Sequence, residues 1–252
     1  MVYPPGQGKC GDLLMNLWRR YLEQYAERDG DVAGQIVVAA YHAADIFGFL
    51  SLSLDRGGRL RSVIEQRIRY FQEAAQKATN LDDCLVNATF TLYNHLNSLC
   101  HQFSGGNPTA ENLIRELDEH VHTRIRNARQ PDRSAAALRA AFPLLSLIAL
   151  FLAGAGEASR IIRQAEERFA AGSRCAGTDR DHLINALYRM VEIMQIVTVL
   201  SDTELQGQVH QIASAFKEED ETSNLDLKIR NGFCRLFELG HLLATHLDAT
   251  IA

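Results

Sequence analysis

The chain has 252 residues, 46% of them hydrophobic, with 31 acidic and 26 basic side chains and a formal net charge of -5. That hydrophobic share excludes a disordered chain, and the length is enough to bury one large helical domain or two smaller ones. The mild charge excludes a general attraction to nucleic acid or anionic lipid.

Apolar spacing read against helix breakers predicts ten helices, over about 11–28, 32–54, 57–79, 81–103, 109–128, 132–153, 157–171, 180–200, 203–218 and 223–248. No stretch alternates long enough for a strand. The β-branched run Ile36-Val37-Val38 is followed at once by Ala39, Ala40, Ala43 and Ala44, which favour helix. Over 81–103, Leu81, Leu85, Leu92, Leu96, Leu99 and Phe103 share one side of a 3.6-residue period. Asn80 and Thr178 each precede acidic residues that suit a positive helix start, and Ser201 with Glu204 has capping-box spacing. Asp55-Arg56-Gly57-Gly58 and Ser104-Gly105-Gly106-Asn107-Pro108 read as interhelix loops. Pro108, Pro131 and Pro143 are read as lying at or near helix starts.

The five cysteines are Cys10, Cys84, Cys100, Cys175 and Cys234, an odd number without a CxxC pair. With no secretory leader, they imply reduced thiols and a cytoplasmic protein. The strongest membrane candidate, Phe142 to Ala155, is 14 residues long. That is below the roughly 18–20 residues a spanning helix needs, so it reads as a buried helix and no transmembrane segment is expected.

The chain matches itself at an offset of 98 residues: Asp83 to Ala88 aligns with Asp181 to Ala186, Val63 to Gln66 with Ile161 to Gln164, and Phe71 with Phe169. The expected fold is therefore all-α, a roughly ten-helix antiparallel bundle of two duplicated four-helix units and a carboxy-terminal helix pair. The units are 1–106 and 107–202, with 203–252 as the terminal pair packed on them. The matched Asn87 and Asn185 read as interhelical hydrogen-bonding residues that fix register.

Two ExxH motifs, Glu119 to His122 and Glu238 to His241, invite comparison with carboxylate-bridged di-iron bundles. Helical facing argues against it. The stripe Leu225, Ile229, Phe233, Leu236, Leu243 and Leu247 puts Glu238 almost opposite, and Glu119 lies far from the stripe of its own helix. The pairs His42/Asp45 and Asp179/His182 have ligand spacing without converging partners, so neither a metal nor a cofactor is expected.

Arg115-Glu-Leu-Asp-Glu-His120 resembles the Rx4H motif of HEPN-type helical ribonucleases, and Arg235 to His241 is a looser version. The resemblance implies a metal-independent ribonuclease in which His120 transfers a proton and Arg115 stabilises phosphate charge. Nucleic acid is a possible partner on this ground. Tyr41, His42, Asn87, Tyr93, His95 and Asn185 sit in or beside apolar helices and are candidates for an interhelical ligand pocket, in a sensor or an enzyme. The leading expectation is a noncatalytic interaction or regulatory protein that binds a protein partner or itself. Arginine-rich stretches 56–69 and 124–139 and acidic 218–221 are its candidate surfaces.

Overall fold

A computed structural model of the chain describes residues 10–251 apart from 56, 57, 59–61, 64, 67, 68, 70–72, 74–79, 128, 129, 155 and 220. Nine α-helices and no strand occur among the described residues. They are α1 (Cys10–Ala26), α2 (Val32–Leu54), α3 (Leu81–Ser104), α4 (Pro108–Asn127), α5 (Gln130–Ala153), α6 (Glu157–Cys175), α7 (Asp179–Ser201), α8 (Gln206–Glu219) and α9 (Leu225–Ile251), with a 3-10 turn over Thr203–Leu205. The predicted helix over 57–79 lies mostly outside the described residues.

Local chemistry sets the boundaries. The Asn80 side chain accepts the Asp83 amide at 2.9 Å, and Thr178 and Asp181 form a reciprocal capping box at the start of α7. Gly105 closes α3 at φ +57°, a left-handed position where a side chain is strained. Two expectations shift. Ser201 is the last residue of α7, and Asp202 instead accepts the Glu204 amide at 2.9 Å. Pro143 lies inside α5, where its ring removes the backbone donor that the Arg139 carbonyl would otherwise receive.

Packing sorts the helices into two layers. α2, α3, α5, α7 and α9 form a closed ring in which each packs on two others, in the order α2–α3–α5–α7–α9 and back to α2. α4, α6 and α8 each lie outside, against the two ring helices that flank them in sequence, and α1 covers the seam between α9 and α2. Residues near the amino-terminal ends of all five ring helices (Ile36, Leu81, Ser134, Asp179, Asp226) meet at one end of the ring. Residues near their carboxy-terminal ends (Leu54, Phe103, Leu152, Ser201, Leu247) meet at the other. The ring helices are therefore parallel, and each outer helix runs back between them. The antiparallel bundle expected from short loops holds for neighbours in sequence and not within the ring.

The division matches composition. α6 is apolar on one stripe only, its buried side chains being Ile162 and Ala165, while α2 and α7 are buried on most sides. Phe47, Phe142, Phe233 and Phe237 are among the largest fully buried side chains, each stabilising by about 1.5–3 kcal/mol through removal from water. Small residues let ring helices close up: a Cβ on Gly240 of α9 would lie 2.9 Å from Ile46 Cγ2 of α2.

The membrane expectation is corrected. Val32–Leu54, Arg133–Ala153 and Asp179–Ser201 are each long and apolar enough to cross a membrane by length and composition. Counting only the unbroken run Phe142 to Ala155 underestimated this, because a spanning helix tolerates a few polar residues within its roughly 20. The absence of a transmembrane segment and the cytoplasmic location inferred alongside it both fall. The three helices are ring helices, and half to two-thirds of each apolar window is buried inside the bundle.

Candidate functional site

The carboxy-terminal end of the ring holds a half-open pocket of about 170 Å³. Every ring helix contributes to it, and among the described residues Ser201 supplies the one hydroxyl in an otherwise apolar lining. Ile148, Met194 and Val197 are buried in its wall, while Leu152 is 39% exposed. Its volume is comparable to that of a buried cavity that holds benzene, but its mouth is open to solvent. The opposite end is narrow and polar, about 40 Å³, with Asp82, Asp179 and Asp226 in its wall and Arg180 bonded to Asp226. The acidic first turns of α3, α7 and α9 offset the partial positive charge of the parallel helix starts there.

The pocket candidates read from sequence are placed elsewhere, and none lines the apolar cavity. His42 is buried, its Nε2 2.9 Å from Gln24 Oε1 of α1 and its ring edge-on to Tyr21 and Phe237. Tyr41 is half-buried beside Cys84 and Asn87 across the α2–α3 contact. Tyr93 is fully buried and its hydroxyl donates to Asp118 of α4 at 3.0 Å. His95 is buried against Gly48, and its carbonyl accepts from the Ser51 hydroxyl at 3.1 Å. Asn185 donates to the Phe169 carbonyl at 3.0 Å and to Ser173, an interhelical bond joining α7 to α6. Gly172 leaves room for it, since a Cβ there would lie 2.3 Å from Asn185 Oδ1.

Arg115 and His120 are both exposed on outer helix α4, and Arg115 bonds Asn112 at 3.1 Å. Five residues apart, they are separated by about 140° around the helix. The cleft that His120 lines contains Arg139 of α5 and not Arg115. Among the described residues no group of three or more His, Cys, Asp or Glu is placed to hold a metal ion.

One polar cluster joins residues that the sequence places in separate motifs. Arg235 of α9 bonds Glu219 of α8 at 2.6 Å, and Glu238 one turn further along α9. Burial lifts the Glu238 carboxyl above its usual range, and Arg235 opposes that rise. Glu238 was expected opposite the packed stripe, but α9 packs against α1, α2, α7 and α8, so nearly every side of it meets protein. His241, the other half of that ExxH motif, reaches the Leu14 carbonyl at 3.1 Å and lies tilted against the Trp18 ring. Burial lowers its pKa, against that hydrogen bond. Both ends of the motif thus hold helices together.

No protein-family model, curated protein or solved structure matches this chain.

Proposed function

We propose that this protein is a noncatalytic binding protein that holds a small apolar molecule, or the apolar tail of a larger one, in the cavity at the carboxy-terminal end of the helical ring. The observation that carries the reading is the convergence of five parallel helices on a space with almost no polar lining. An apolar recess with few polar groups is the usual form of a small-molecule site, and filling it removes apolar surface from water. The three helices apolar enough to cross a membrane support a lipid-derived ligand and association with a membrane.

The decisive experiment measures transfer of a fluorescent alkyl probe to the purified chain and to Ile148→Phe, which fills the cavity wall. Saturable binding that Ile148→Phe abolishes supports the reading. Absence of binding, or equal binding by the filled variant, overturns it. Flotation with vesicles separately tests membrane association.

The two units at 1–106 and 107–202 are part of the same proposal. The first unit supplies α2 and α3 to the ring, the second supplies α5 and α7, and 203–252 supplies α9. A second reading, interaction with another copy of the chain, draws on Met15 and Leu22, seven residues apart on α1 and 59% and 50% exposed. Sedimentation of the wild type against Met15→Glu/Leu22→Glu tests it, with an unchanged mass as the refuting result.

A further inference from the structure

α1 packs on α2 and α9, over the seam that closes the ring, and is not itself a ring helix. Two histidines beneath it hold it by hydrogen bonds. His241 Nε2 of α9 lies 3.1 Å from the Leu14 carbonyl, which can only accept, so that nitrogen carries the proton. His42 Nε2 of α2 donates to Gln24 Oε1 at 2.9 Å in the same sense. Trp18 stacks on Phe237 at 5.6 Å between centroids, and Tyr21 lies 4.4 Å from the same ring. This arrangement leaves the Nδ1 of each histidine without a proton. His42 is 4% exposed, and its Nδ1 is buried with no hydrogen-bond partner. A second proton there places a charge between Tyr21 and Phe237 with nothing to accept it.

We infer that α1 is an acid-released strap, docked on the ring while His42 and His241 are neutral and loosened when they take up protons. Release uncovers Phe237 together with the buried side of α1, Leu14, Leu17 and Tyr21. The device is independent of the apolar pocket. Burial, and after it the Arg20 guanidinium of α1, lowers His42 to about 4, and burial lowers His241. Docking is therefore at full strength above the free-histidine value of about 6.5 and weakens as pH falls below it. Around the pair, α1 contributes Arg20, Tyr21 and Tyr25, and α9 contributes Cys234 and Glu238, the latter held by Arg235. Asp83 and Cys84 of α3 face Tyr41 instead, and residues 1–9 include no carboxylate. Asp45 of α2 works in the opposite sense, since burial raises its carboxyl to about 6 and its protonation favours the docked form. From about pH 7.5 to about pH 5, His42 alone raises the opening constant of α1 about thirtyfold. Asp45 lowers it by at most about tenfold, and His241 adds to His42, so acid loosens the strap.

The test is amide hydrogen exchange of the full chain at the two pH values, corrected for the intrinsic exchange rate, with acrylamide quenching of Trp18, the one tryptophan. A 17-residue helix freed from its packing is marginal in water, so its amides exchange when it undocks. Protection of α1 falls by about threefold or more on acidification and Trp18 becomes easier to quench, while protection of α7 holds. Asp45→Asn steepens the fall toward thirtyfold. His42→Gln/His241→Gln, which keeps hydrogen-bonding side chains that do not titrate, abolishes it. Should that pair not fold, Arg20→Gln at an exposed position serves: it brings His42 closer to its free value and makes the fall shallower. The inference is overturned if α1 protection does not fall, if it falls equally in the double variant and in Arg20→Gln, or if α7 loses protection in step with α1.

Discussion

Replacing Arg235 with methionine keeps much of the side-chain volume and removes the cation that stands between Glu219 and Glu238. Arg235 is 15% exposed, Glu238 19% and Glu219 32%, so the cluster is shielded without being sealed. Breaking a fully buried pair costs about 3–5 kcal/mol, and an exposed pair contributes about 0–1 kcal/mol. The observed exposure puts Arg235→Met between these limits, at about 2–3 kcal/mol. For a chain of this length that lowers Tm by roughly 4–12 °C.

The pH dependence gives a second reading of the same cluster. Glu238 has a raised folded pKa, so its protonation favours the folded state, and the stability this brings is lost as pH rises through that value. Without Arg235 the carboxyl rises further. The deficit of Arg235→Met relative to wild type therefore shrinks as pH is lowered from neutral toward the unfolded glutamate value of about 4.3. Urea denaturation of both proteins at several pH values measures it. A loss below about 0.5 kcal/mol, or a deficit that does not change with pH, refutes the argument that Arg235 compensates buried carboxylates.

Gly240→Ala places a methyl 2.9 Å from Ile46 Cγ2. Overpacking of about 1–3 kcal/mol outweighs the roughly 1 kcal/mol gain in helix propensity, so stability falls. In an Ile46→Ala background the same change is expected to stabilise, and a denaturation double-mutant cycle shows whether the sign reverses. His241 has a lowered folded pKa, so its contribution is present above the unfolded value of about 6.5 and is lost as pH falls below it. His241→Gln should flatten the stability profile between pH 7 and about 5, and a slope equal to wild type counts against the assignment. Thr178→Ala removes the hydroxyl that caps α7 and should cost about 1 kcal/mol. Thermal unfolding at neutral pH is sufficient to check it.

The helices were legible because their signals are local. Asn80 before Asp83, Thr178 before Asp181 and the glycines at 105 and 106 announce helix ends within a few residues. The ring was not, since its contacts join every second helix and periodicity does not name a partner. One signal was present but unread: helices apolar all round alternate with helices apolar on one side, as α2 and α7 contrast with α6. It would have separated inner from outer helices and placed Glu238 against a neighbour. The cavity left no trace, because Leu99, Ile148 and Val197 look like any other core residues until the packing around them is known. The arginine at 139 was hidden for the same reason: its relation to His120 crosses from α4 to α5.

The seam between α2 and α9 bears on how the protein is made. Arg230 of α9 reaches Gln35 of α2 at 3.2 Å, across 195 positions of sequence. During synthesis α2 emerges early and keeps one long apolar flank without its ring partner until α9 has cleared the ribosome. At about 5–20 residues per second, that wait lasts tens of seconds at the slower rates. The ring helices follow one another in chain order, so the row of α2, α3, α5 and α7 stays open on one side until α9 closes it. A nascent chain halted before residue 225 should therefore attract chaperones that grip exposed apolar helices, and one extended through α9 should release them.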